Sequence, residues 1–132
     1  SRITKMKKIL IIEDQPMIRH LIKLTLEFEN YAVTEAVNAQ EGLKQATLVS
    51  PDLILLDIHL SNGKNGLDLC EDLKKISSLK NTKYIILTVS QSNAHLQRAQ
   101  QLDIQHYLQK PFRPSHLLET VKVLIDERPS GI

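Results

Sequence analysis

Five short apolar runs punctuate the chain: KILIIE (8–13), YAVTEA (31–36), DLILLD (52–57), KYIILT (83–88) and IQHYLQ (104–109). Each has the length of a β-strand. Between and after them the apolar positions change period. Ile18, Leu21, Ile22 and Thr25 follow the first run, and Leu117, Leu118, Val121, Leu124 and Ile125 follow the last, at the spacing of a helix that buries one stripe. Asn38 with Glu41 three residues on resembles a capping box, and Pro51 stops that helix before the third strand. Strand and helix in strict alternation predict an α/β fold with parallel strands, right-handed crossovers and helices on both faces of the sheet. Strands 1, 3 and 4 are nearly continuous apolar runs, as expected where both faces are covered; strand 2 alternates more and suits an edge.

A doubly wound five-stranded parallel sheet of this size takes the flavodoxin-like order 2-1-3-4-5. Its ligands bind beyond the carboxyl ends of the strands, where the order reverses between strands 1 and 3. Strand 1 ends in Glu13 and Asp14, strand 3 in Asp57 and strand 4 in Thr88, and strand 5 leads to Lys110. Three acids, a hydroxyl and a lysine are thus expected on one rim. Neighbouring carboxylates repel and raise one another's pKa values unless a cation lies among them. Hard oxygen ligands at an open rim suit Mg2+, which keeps several waters and takes one or two carboxylates. His20, His59, His95, His106 and His116 are scattered, with no spacing that suggests zinc.

Composition narrows the reading. The chain has 132 residues, 42% of them apolar and 24% charged, which fits one globular domain. A net charge of +2 with no basic run beyond a lysine pair gives no footprint for nucleic acid. The single cysteine, Cys70, cannot form an internal disulfide and is expected as a small buried hydrophobe of the third helix. No stretch is apolar enough to span a bilayer and no signal-peptide core is visible, so a cytoplasmic location without membrane contact is expected. Residues 1–6 read as an N-terminal extension or a leftover of cloning, 7–127 as the domain, and 128–132, with Pro129 and Gly131, as a tail or the start of a linker.

The motifs IIED, LLD, ILT, YLQK and KPF, each at the end of its strand, resemble the receiver domain of two-component response regulators over residues 7 to about 126. The resemblance implies that Asp57 accepts a phosphoryl group from a phosphohistidine on a sensor histidine kinase or phosphotransfer protein. It implies that Glu13 and Asp14, with Asp57 and the backbone carbonyl of His59, hold Mg2+, and that Lys110 pairs with a phosphoryl oxygen ahead of a cis peptide at Pro111. Thr88 and Tyr107 match the switch pair. Phosphorylation adds roughly −1.5 to −2 of charge and new acceptor oxygens, toward which the Thr88 hydroxyl can turn. Space vacated by Thr88 admits the Tyr107 ring, and the surface of the fourth helix (90–102), fifth strand and fifth helix changes. That surface is the expected seat of an output domain or a homodimer. The fourth helix has only Ala94, Leu96, Ala99 and Leu102 as anchors, the profile of a weakly docked element.

Such a domain catalyses its own phosphorylation and dephosphorylation and is no turnover enzyme. The chain departs from the family pattern in three places: Ser61 stands where a proline is usual, NGKNG brings Gly66 one position late, and Val89 stands where Ala or Gly is usual. A β-branched Val89 is expected to crowd the phosphoryl position, which keeps a degenerate receiver acting by binding alone as the alternative. His59 and Ser90 occupy positions that in this family tune phosphoryl lifetime. A dehalogenase-like phosphatase fits less well, since its DxD pattern is one step off in IIEDQ.

Overall fold

The computed structural model describes residues 5–61, 65–89 and 92–126. Five parallel strands, β1 (Lys8–Ile12), β2 (Ala32–Ala36), β3 (Leu53–Asp57), β4 (Lys83–Thr88) and β5 (Tyr107–Gln109), form one sheet in the order β2-β1-β3-β4-β5. The helices α1 (Pro16–Phe28), α2 (Ala39–Val49), α3 (Gly66–Lys74), α4 (Asn93–Gln101) and α5 (Pro114–Ile125) make the crossovers, with a short 3-10 turn at Ser77–Leu79. The α/β class and the strand order are those expected from the alternation of apolar runs.

Strand alternation divides the core. Leu10, Ile12, Ile54, Leu56 and Ile86 point to the side covered by α2, α3 and α4, while Ile9, Ile11, Leu53, Leu55 and Leu87 point to α1 and α5. All ten are shut off from solvent, and burial of each contributes about 1.5–3 kcal/mol. The register sets Ile12 beside Leu56 and Asp57 beside Leu87. The central strands therefore reach the rim together, and the residues just past them must converge.

Several boundaries differ from the sequence reading. Glu13, Tyr31 and Asp52 lie just outside their strands. β5 is three residues long; Ile104 is buried like a strand residue but sits outside the ladder, with its N–H on the Ala99 carbonyl. In α1 the inward positions are Ile18, Ile22 and Leu26, and Leu21 is 42% exposed. Leu21 lies about 100° round the helix from buried Ile22, toward solvent.

Local signals explain the helix ends. Asn38 accepts the Glu41 N–H at 2.8 Å and the Glu41 carboxylate accepts the Val37 N–H at 3.0 Å, the reciprocal cap the sequence suggested, displaced by one residue. α2 ends at Val49, where Ser50 turns left-handed just before Pro51. α4 is capped by Ser92, whose hydroxyl accepts the His95 N–H. Its expected anchors are only partly right: Ala99 is buried and Leu96 and Leu102 are half-buried, but Ala94 is exposed. Arg98 supplies the missing hold through ion pairs to Asp68 and Glu71 on α3.

Candidate functional site

The rim at the carboxyl ends of the strands gathers the five predicted side chains. Glu13 follows β1, Asp57 and Thr88 close β3 and β4, and Lys110 follows β5. Glu13 is completely buried, Asp57 is 5% exposed and Thr88 1% exposed, whereas Asp14 is half-buried. Buried charges on a solvent-facing rim are costly unless paired, and the pairing is visible. The Lys110 ammonium donates to Asp57 Oδ2 at 2.8 Å and lies 2.6 Å from Glu13 Oε1. Asp57 Oδ1 accepts the His59 N–H at 3.0 Å, and Glu13 Oε2 accepts the Gln15 N–H at 3.1 Å.

One lysine is shared between two carboxylates. Burial pushes the Glu13 carboxyl up to about 7, and the bonds from Lys110 and Gln15 offset this only in part. Burial works against the Lys110 ammonium too, but Asp57 and Glu13 outweigh it and hold Lys110 above its ordinary value. Glu13 Oε1 is buried with the Lys110 ammonium 2.6 Å away as its cation. Glu13, Asp14 and Asp57 each offer an oxygen within 4.8 Å of the others. Three hard-oxygen carboxylates that share one lysine between them fit a divalent cation of the Mg2+ kind.

The backbone holds these groups in place. Lys110 N–H donates to the Thr88 carbonyl at 2.7 Å, tying the end of β5 to that of β4, and the Lys110–Pro111 peptide is cis. Tyr107 is half-buried against the core on the side of α2, α3 and α4, its hydroxyl donating to the Ile104 carbonyl at 3.1 Å. His59 is exposed and its ring stands edge-on to that of His95, 5.7 Å between centroids. The loop after β3 thereby touches the first turn of α4.

Two residues beyond the predicted set shape the site. Gly66 opens α3 with its N–H on the Ile58 carbonyl at 2.6 Å, and a Cβ there would collide with the carbonyl of Asp57. Its late position in the loop is thus compatible with the closest backbone approach at the site, which only glycine permits. Arg19 on α1 donates to the Glu13 carbonyl at 2.9 Å and pairs with Glu35 of β2 at 3.2 Å. No local motif marks Arg19; its role appears only when α1 is laid on the edge of the sheet. Val89, just past the end of β4, is 60% exposed. Ser90 and most of the NGKNG loop lie outside the described residues, as do 128–132.

Comparisons with known proteins identify the family and the fold. The family model for the response regulator receiver domain matches residues 9–122. The chain is 34% identical over 122 residues to the transcriptional regulatory protein ResD of Bacillus subtilis, covering 92% of this chain and 49% of ResD. It is 34% identical over 124 residues to the response regulator ArlR of Staphylococcus saprophyticus, covering 94% and 54%. The chain thus spans about half the length of these curated relatives. The chemotaxis protein CheY4 of Vibrio cholerae superposes with a TM-score of 0.86 at 27% identity over 92% of this chain and all of that one. A CheY-like receiver domain protein from Methanospirillum hungatei gives 0.86 at 33% identity, covering 93% and 96%. With the family model matching residues 9–122 and curated relatives 34% identical over more than nine-tenths of the chain, the chain belongs to the response regulator receiver domains of two-component signalling.

Proposed function

We propose that Asp57 is the phosphoacceptor of this receiver and that residues 7–127 are the unit that carries it. The supporting observation is the state of its carboxylate. One oxygen is held by Lys110 and the other by the His59 N–H, with Glu13 and Asp14 alongside. In the reaction an Asp57 oxygen attacks the phosphorus of a phosphohistidine on a kinase or phosphotransfer protein. The new P–O bond forms as the P–N bond breaks, and the imidazole leaves with the electron pair and takes up a proton.

Both reactants are anionic, so the barrier is electrostatic and catalysis consists of positioning and charge neutralisation. Lys110, released from part of its hold on Asp57, pairs with a phosphoryl oxygen. Asp14 and Asp57, with Glu13 and the His59 carbonyl, are the residues to hold Mg2+, which when bound supplies the positive charge that lets two anions meet. Thr88, buried at the end of β4, turns its hydroxyl to the phosphoryl group, and Tyr107 exchanges its Ile104 partner for the space beside Thr88. The change reaches the α4, β5 and α5 surface, where an output domain or a second copy would read it.

Intact mass spectrometry after exposure to acetyl phosphate tests the reading. One phosphoryl adduct that needs Mg2+ and vanishes in Asp57→Asn is expected; an adduct that persists in Asp57→Asn on another mapped residue, or none in the parent, overturns it.

A further inference from the structure

The amino ends of the strands, opposite the acidic rim, enclose a cavity of about 700 Å3. It is bounded by the starts of β1, β3 and β4, the connection from α4 to β5 and the end of α5. Sites for small molecules commonly occupy about 300–1,000 Å3. Five residue steps of β4, about 17 Å, separate Lys83 at this end from Thr88 at the other. The cavity is therefore no extension of the rim.

Its charged lining is Lys7, Lys74, Lys80 and Lys83 against Asp52 and Asp103. Asp52 is already engaged within the fold, where its Oδ2 accepts the Lys8 N–H at 2.7 Å. Among the described residues no carboxylate lies within ion-pair distance of Lys74, Lys80 or Lys83. Lys74 instead sits 5.1 Å from the centroid of the Tyr84 ring, a contact that uses its charge but none of its three N–H donors. Tyr84 also belongs to the lining; it is 6% exposed, and its hydroxyl is buried with no hydrogen-bond partner. A buried polar group left over by the fold calls for a partner from outside it. Asn81 and Gln105 add neutral donors to the wall.

A cleft lined by an excess of one sign concentrates counter-charge. Ammonium groups act as point charges without the planar fork of arginine, so they favour charge density, which linked phosphates have and a single carboxylate lacks. The net charge of the chain is only +2, too little to hold a long polyanion by its general field. We propose that this cavity binds a small polyanion with two or more linked phosphates, held by Lys74, Lys80 and Lys83. Binding joins the start of β4 to the connection between α4 and β5 and needs neither Mg2+ nor a phosphoryl group on Asp57.

Titration of the full chain with pyrophosphate and with ADP in chelator, followed through its amide NMR shifts, tests the proposal. Shifts are expected at residues 80–84 and 103–106, with a dissociation constant between about 10 μM and about 1 mM. Lys80→Gln combined with Lys83→Gln, both exposed positions, weakens binding at least about tenfold with an unchanged melting curve. Lys44→Gln, at an exposed position of α2 outside the cavity, binds as the parent does. ADP at least about fivefold tighter than pyrophosphate identifies a nucleotide as the occupant; equal constants identify the linked phosphates alone. Shifts confined to residues 13–14, 57–59 and 88, or unchanged binding in the double variant, overturn the proposal. So does binding of long-chain polyphosphate without binding of pyrophosphate or ADP, which assigns the lysines to an open surface, and so does no binding of any of the three.

Discussion

Lys110 reaches Glu13 at 2.6 Å even though the strands that deliver them, β5 and β1, are separated in the sheet by β4 and β3. The lysine stem crosses two strand ends and stops between Glu13 and Asp57. With one cation for two buried acids, proton binding at this rim is coupled to stability.

Glu13 makes that coupling measurable. Its carboxyl titrates near 7 in the folded chain against 4.5 when unfolded, so the folded state holds the extra proton between these values. The contribution to stability is full below about pH 4.5 and is lost as pH rises through about 7. Lys110, held above its ordinary value, stays charged throughout this window. In chelator, denaturant unfolding of the parent minus that of Glu13→Gln should fall by on the order of 1–3 kcal/mol from pH 5 to pH 8. A flat difference would place Glu13 as an ordinary carboxylate. Apparent Mg2+ affinity should climb over the same interval, since the proton competes for the same oxygen.

Asp14 is the member of the acid cluster closest to solvent. Asp14→Asn removes a repelling charge while leaving the Lys110 pairs intact, and functional sites commonly give up stability of this kind. Its melting temperature in chelator should exceed that of the parent by on the order of 3–5 °C for a gain of about 1 kcal/mol. Added Mg2+ should raise the parent and not the variant, which differential scanning calorimetry resolves directly.

Gly66→Ala should be costly although alanine is the better helix former. The added methyl meets the Asp57 carbonyl, and either α3 or the end of β3 must shift. A loss of about 1–3 kcal/mol in chemical denaturation is expected. Labelling by acetyl phosphate should slow by at least about tenfold, because misplacement of the nucleophile is expensive. Wild-type rates in a destabilised variant would separate the fold role of Gly66 from any role in positioning Asp57.

Val89→Ala should label at the rate of the parent to within about twofold. Its side chain is 60% exposed, so it has room to yield to an incoming phosphoryl group without being trimmed. A clear acceleration would show that Val89 crowds the phosphoryl position.

The sequence was most informative where chemistry and period coincide. Apolar runs that end on Glu13, Asp57 and Thr88 marked both the strands and the rim, because parallel strands must finish side by side. It was least informative where a residue's meaning depends on a distant one. Ile104 looks like strand and is buried, yet the ladder starts only at Tyr107. Leu21 obeys helical spacing yet faces outward, because spacing alone does not say how far a buried face extends. Gly66 counted as a displaced loop residue until α3 was seen resting on the Asp57 carbonyl.

The attachment of α4 has an environmental consequence. Its apolar contact with the body is slight, and the pairs from Arg98 to Asp68 and Glu71 involve side chains that are 35%, 48% and 47% exposed. Pairs this open to water weaken as ionic strength grows, since the Debye length shrinks from about 10 Å at 0.1 M to about 3 Å at 1 M. A helix moored by charge loosens in brine and tightens in dilute buffer, while the apolar core beneath it barely responds. A switch of the proposed kind at this surface should therefore be easier to trip in a salt-rich medium than in a dilute one.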